Sequence, residues 1–212
     1  MKSYIHSTLR WSSLVLCSLL LVLLTACGGS TSTPTTATPT SASSNPSPAP
    51  TIAPTTASAN LTTYTADGYT IGYPQGWHVK KGSGNLVTFS DALGVSTLVI
   101  EFTANPNAIV PTSTIISTTE KALTSNGKNF QKVNGTSKTT IAGDNWDQSS
   151  ATEDATVNGQ TQNVKYVVLA DNHPASSSST RLFVIFYGTL TSLFDQTNSS
   201  SFQPMLQSFK FA

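Results

Sequence analysis

From Gly28 to Asn60 the chain carries not one charged or aromatic residue and is built almost entirely of Thr, Ser, Ala and Pro. A stretch with so little apolar bulk cannot offset the conformational entropy lost on ordering it, so it is expected to stay a disordered tether. Folding is thereby confined to Leu61–Ala212, about 150 residues, enough for one domain that buries roughly two thirds of its unfolded surface. Six prolines bias the tether toward extended polyproline II, giving a reach between about 30 Å as a coil and about 100 Å stretched out. Its Ser/Thr/Pro composition also suits O-linked sugars on a stalk.

What precedes the tether explains why one would be needed. Lys2 and Arg10 lead into an apolar run from Trp11 to Leu24, broken only by Ser12, Ser13 and Ser18. A run of about fourteen residues matches a removable signal core and falls short of the roughly 20 that a permanent membrane span requires. It ends in Leu24-Thr25-Ala26-Cys27, where small side chains suit a narrow protease site and the thiol is a readily alkylated nucleophile. The arrangement resembles a bacterial lipoprotein signal. That resemblance implies recognition through Leu24, Thr25 and Ala26, cleavage after residue 26, and fatty acylation of Cys27. The expected organisation is a signal peptide over 1–26, a lipidated tether over 27–60 and a domain over 61–212.

Composition fits an address outside the cytoplasm. The cysteines are Cys17, inside the signal, and Cys27, so the folded part offers neither a disulfide nor a thiolate metal site. Without Lys2 and Arg10 the chain carries nine basic against ten acidic side chains. So balanced a domain has no electrostatic reason to hold nucleic acid.

Periodicity supplies the fold class. Tyr69, Ile71 and Tyr73 alternate with smaller residues as on a half-buried strand, and Pro74-Gln75-Gly76 then turns the chain. Trp77–Lys81 and Leu86–Phe89 flank a Gly82-Ser83-Gly84 turn, and Ser96–Thr103 continues an antiparallel meander. After Pro111, Ile115, Ile116, Ala122 and Leu123 fall on one face of a helix over Thr112–Asn126. Thr112 or Ser113 can cap it, Ser117-Thr118-Thr119-Glu120 fits a capping box if it starts late, and Asn126-Gly127 supplies a stop. Phe130–Ile141 and Asn145–Val157 read as polar outer strands, and Asn158-Gly159 as a hairpin turn into Gln162–Ala170. Arg181–Tyr187 is apolar on both faces and is the expected central strand, covered by helices. His173-Pro174 and Ser176–Ser179 read as a solvated loop, Asp195–Ser199 as irregular, and Ser200–Ser208 as a last helix. Strands, helix, strands, helix make an α+β plan around an antiparallel sheet.

The segment Gly68-Tyr69-Thr70-Ile71-Gly72-Tyr73-Pro74-Gln75-Gly76-Trp77 carries a second resemblance. With it go the Val87-Thr88-Phe89 strand ending at Ser90-Asp91, the Arg181–Tyr187 strand and the closing Met205-Leu206-Gln207-Ser208-Phe209-Lys210-Phe211. Together they resemble a PsbP-like domain, the family of the extrinsic P protein of photosystem II, across nearly all of Leu61–Ala212. The resemblance implies an α/β/α sandwich around a central antiparallel sheet; the Tyr-Pro-x-Gly-Trp turn is its sharpest element.

Catalytic signatures are sparse. His78 and His173 have no metal-protease spacing and read as surface imidazoles. Asp144, Asp147, Glu153 and Asp154 are the densest acidic group, but an EF-hand begun at Asp144 meets Ser149 where glycine is required and Ala155 where the bidentate glutamate belongs. A looser oxygen site at the strand ends stays open beside a reading of solvated strand charges. Ser125-Asn126-Gly127-Lys128 matches a Ser-x-x-Lys nucleophile only in letters, because it lies at a helix exit. Trp146, flanked by Asp144, Asn145 and Asp147, is expected to be partly exposed and to form a contact surface.

The functional expectation is a monomeric, lipid-anchored module on the extracytoplasmic face of a cell membrane, without catalytic activity or cofactor. It would bind an unknown envelope protein or assist assembly. The alternative is an envelope carrier of a small hydrophobic ligand or metal ion, with a pocket between the sheet and the Thr112–Asn126 helix.

Overall fold

The computed structural model describes residues 60–126, 128–133, 137–157 and 159–212. Leu24, Thr25, Ala26, Cys27 and the tether through residue 59 lie outside the described residues, as do Gly127 and Asn158.

The chain runs β1 (Leu61–Ala66), β2 (Tyr69–Pro74), β3 (His78–Lys81), β4 (Val87–Ser90), β5 (Thr97–Ala104), α1 (Thr112–Asn126), β6 (Lys128–Val133), β7 (Lys138–Ile141) and β8 (Asp144–Val157). It closes with β9 (Gln160–His173), β10 (Arg181–Leu190), α2 (Phe194–Thr197), α3 (Gln203–Ser208) and β11 (Lys210–Phe211). The main sheet is ordered β3-β4-β5-β10-β9-β8-β6, with β7 also on β8; a small sheet is ordered β1-β2-β11. Neighbouring strands pair antiparallel in both sheets, so the fold is α+β.

β10 occupies the middle of the main sheet because both of its faces are apolar. Phe183, Ile185 and Tyr187 join a core with Phe102, Ile100 and Leu98 of β5, closed over by Tyr69 and Ile71 of β2 and by Met205, Leu206 and Phe209. The opposite face is smaller: Ile116 of α1 packs on Ala151, Tyr166, Val168 and Ala170, with Val184 and Phe186 beside them. Each face of the main sheet therefore carries a helix, and the small sheet shares its layer with α2 and α3. At Gly188 of β10 a Cβ would lie 2.8 Å from the Lys165 carbonyl oxygen, so only glycine permits this approach to β9.

Three expectations change. Phe130–Ile141 is not one strand: β6 and β7 pair in tandem with the 14-residue β8, and the β6 register shifts between Lys128 and Gln131, beside Asn129 at φ 55°. β8 itself lies one strand in from the edge, which its polar composition conceals. Asp195–Ser199 is helical, because Phe194 is buried against Tyr187 and Phe202 and anchors the segment. A π-turn over Asn198–Phe202 precedes Pro204, whose missing N–H leaves the carbonyl four residues earlier without its helical donor.

Trp146 is the third. It is fully buried rather than a contact surface, parallel to Phe211 at 6.1 Å between centroids and edge-on to Phe209 at 5.7 Å. Its indole N–H donates to the Ile141 carbonyl at 3.2 Å. The acidic neighbours mislead because alternation sends Asn145 and Asp147 to the other side of the strand. Trp146→Ala is expected to lower unfolding free energy by about 3–5 kcal/mol, read as a shift in denaturant midpoint.

On the α1 face, Glu153 is buried and its Oε2 has no hydrogen-bond partner; burial raises its carboxyl pKa to about 7. The unfolded chain releases this proton near 4.5 while the folded chain keeps it, so stability should fall as pH rises from about 4.5 to about 7. In Glu153→Gln this part of the fall should vanish, which thermal melts across that range would show.

Candidate functional site

β9 places Val167, Leu169, Asp171 and His173 on the core side of the main sheet, two residues apart. Asp171 is opposite Phe183 in the register and His173 opposite Arg181. A carboxylate thus occupies a row that is otherwise aromatic. β8 begins at Asp144, two residues before Trp146 on the same face, which brings Asp144 to the same end of the sheet.

His173 is not a free surface imidazole. Its Nδ1 lies 2.6 Å from Asp144 Oδ2, and its ring stacks on Phe211 with centroids 3.5 Å apart and planes 3° from parallel. Phe211 is in turn edge-on to Phe183 and Phe209. Asp171 is 9% exposed and its Oδ2 has no hydrogen-bond partner. Burial, and then the Asp144 charge, push its carboxyl pKa up to about 6. Asp144, Asp171 and His173 each present a donor atom within 4.8 Å of the others.

A pocket of about 410 Å³ opens beside this cluster, lined by Asp67, Gly68, His173, Pro174, Arg181 and Phe183 among others. Arg181 lies over the Phe102 ring at 5.1 Å and 3.6 Å from Asp67 Oδ2. Gly68 has φ +92°, which favours glycine in this turn, and a Cβ there would also displace the tip of the Arg181 side chain, 2.3 Å away. The neighbouring loop is held by Asn105, which donates to Asn172 Oδ1 at 2.7 Å and to the Val110 carbonyl at 2.9 Å.

The acidic group named from sequence divides. Asp147 pairs with Lys138 at 2.9 Å and accepts from Thr112, and those bonds hold its carboxyl below its ordinary value. Asp154 accepts from Asn163 and Asn129. Glu153 lies under α1, and His78 is exposed on β3, at the sheet's opposite edge. Asp144 and His173 do meet. Asp171, which joins them, is missed by reading the strand as ending at Ala170; the alternation Val167, Leu169, Asp171, His173 is the signal that finds it.

No family model matches the chain, and no curated protein matches it in sequence. Among solved structures it is similar to one from Bacteroides thetaiotaomicron, with 8% identity, 71% of this chain and 48% of that one covered, and a TM-score of 0.45. The chain thus spans about half the length of that structure. It is also similar to LpqN of Mycobacterium tuberculosis, a protein involved in cell envelope biogenesis, with 13% identity, 72% of this chain and 91% of that one covered, and a TM-score of 0.44.

Proposed function

We propose that the chain is a non-enzymatic binding or assembly module, lipid-anchored through Cys27 on the extracytoplasmic face of a cell membrane, and that its domain is PsbP-like. The observation that carries the binding role is the end of the sheet, where half-exposed Asp144 and His173 flank buried Asp171 beside the 410 Å³ pocket. An Asp–His pair can also activate a serine, but the neighbouring hydroxyls bond within their own loop. Ser177 and Ser179 pair at 2.9 Å, and Thr180 Oγ1 donates to the Pro174 carbonyl at 2.7 Å. This supports a site that holds rather than reacts.

The PsbP-like reading draws support from how its motif segments pack. β11 pairs with β2, Gly72 N–H donates to Ser208 Oγ at 2.7 Å, and Phe209 stacks on Tyr69 at 5.5 Å. The anchor draws support from the Leu24–Cys27 sequence; among the described residues no helix is long and apolar enough to cross a membrane. Burial of acyl chains at about 0.8 kcal/mol per methylene makes release of a doubly or triply acylated cysteine negligible.

The alternative, an envelope carrier, is favoured by the pocket. Its place differs from expectation: it lies on the face of the sheet opposite α1, lined by charged groups as well as by Phe183. A polar lining suits a small polar ligand or a metal ion better than a hydrophobic one.

Cells expressing the wild-type chain should incorporate a clickable palmitate analogue into it and retain it in the membrane fraction. Cys27→Ser should lose the label and appear as a soluble or uncleaved form. A cleaved Cys27→Ser chain that stays with membranes would refute the anchor.

A further inference from the structure

We propose that Asp144, Asp171 and His173 bind one divalent transition-metal cation of the zinc class. The proposal deepens the binding-module reading, on which it rests, by naming what the end of the sheet takes. The three residues offer donor atoms within 4.8 Å of one another, a spacing that a small shift of side chains closes around an ion with bonds of about 2.0–2.2 Å. Asp171 supplies an independent indication, since it is 9% exposed and its Oδ2 has no donor to meet it. Such an oxygen is costly to bury, and a cation satisfies it where no hydrogen bond does.

Charge points the same way. Two carboxylates at this separation repel, and the nearest cations of the flanking strands β7 and β10 are engaged elsewhere, Lys138 with Asp147 and Arg181 with Asp67. His173 lies 2.6 Å from Asp144 Oδ2, and an ion would replace the hydrogen now between them. Stacking on Phe211 fixes the plane of the imidazole, so little orientation is lost on ligation.

The donor set selects the ion. Two carboxylates and one imidazole provide too few oxygens for Ca²⁺, which takes 6–8, and include a nitrogen that Mg²⁺ does not favour. Mixed nitrogen and oxygen ligation suits Zn²⁺, and three protein donors leave a fourth position for water or an incoming ligand. Asp144 and His173 have side chains 37% and 35% exposed, which provides the way in.

The test uses the processed chain extracted from membranes in detergent, stripped with a chelator and treated with a thiol alkylator so that any unacylated Cys27 contributes no thiolate. Zn²⁺ is titrated against a chromophoric chelator, and the imidazole ¹⁵N shifts are followed in the wild type. Expected are one Zn²⁺ per chain, movement of the His173 nitrogens with those of His78 unchanged, and affinity at least about tenfold weaker in Asp171→Asn and in His173→Gln. Ca²⁺ and Mg²⁺ at the same concentrations should leave the spectrum unmoved. Absence of stoichiometric Zn²⁺, undiminished affinity in both variants, or movement of another histidine in place of His173 would each overturn the proposal. The ¹⁵N readout requires no variant to fold. Loss of membrane anchoring would sink the localisation and leave this result standing.

Discussion

The return of the closing segment across the open face of the sheet holds this domain together. Phe209 stacks on Tyr69 and meets Trp146 and Phe183 edge-on, while Phe211 lies between His173 and Trp146. Only two residues of β11 pair with β2, so backbone hydrogen bonds alone would be a weak clasp. Aromatic contacts of this kind add about 0.5–1.5 kcal/mol each beyond the area they bury. They also join the small sheet to the main one, so the core and the ionisable cluster share a single support.

That shared support explains how the cluster tolerates its own charge. Asp171 lies in a row with Phe102 and Phe183, a position where a leucine would pack without cost. Its Oδ2 meets no donor, and what the fold aligns beside it at the sheet's end is the imidazole of His173 paired with the carboxylate of Asp144. The rigidity comes from the apolar side: the ring that fixes His173 belongs to the segment that closes the core.

Much of this architecture is legible in the chain. The helix over Thr112–Asn126 and the central position of Arg181–Tyr187 follow from the period and two-sidedness of their apolar residues. What is hidden follows from physics that sequence patterns carry weakly. Trp146 sits between Asn145 and Asp147, which alternation sends to the other face, and Phe194 anchors a polar helix through a single contact set. The cluster is the hardest case, because its members come from two strands and only register brings Asp144 to His173. Asp171 is concealed by its neighbours, since a charged residue after Val167, Val168, Leu169 and Ala170 reads as the end of a strand.

The β1–β2 hairpin has a further consequence. Its register runs from Leu61 opposite Pro74 to Ala66 opposite Tyr69, so the Asp67–Gly68 turn that lines the pocket lies at one end of the strand and Leu61 at the other. Six residues of strand separate them by about 20 Å. The chain therefore enters the domain at the far end from the cluster. A load drawn along the axis of β1 through residue 60 would act in shear on the whole row of its hydrogen bonds to β2, whereas one drawn across the strand would open the pairing from the Leu61–Pro74 end.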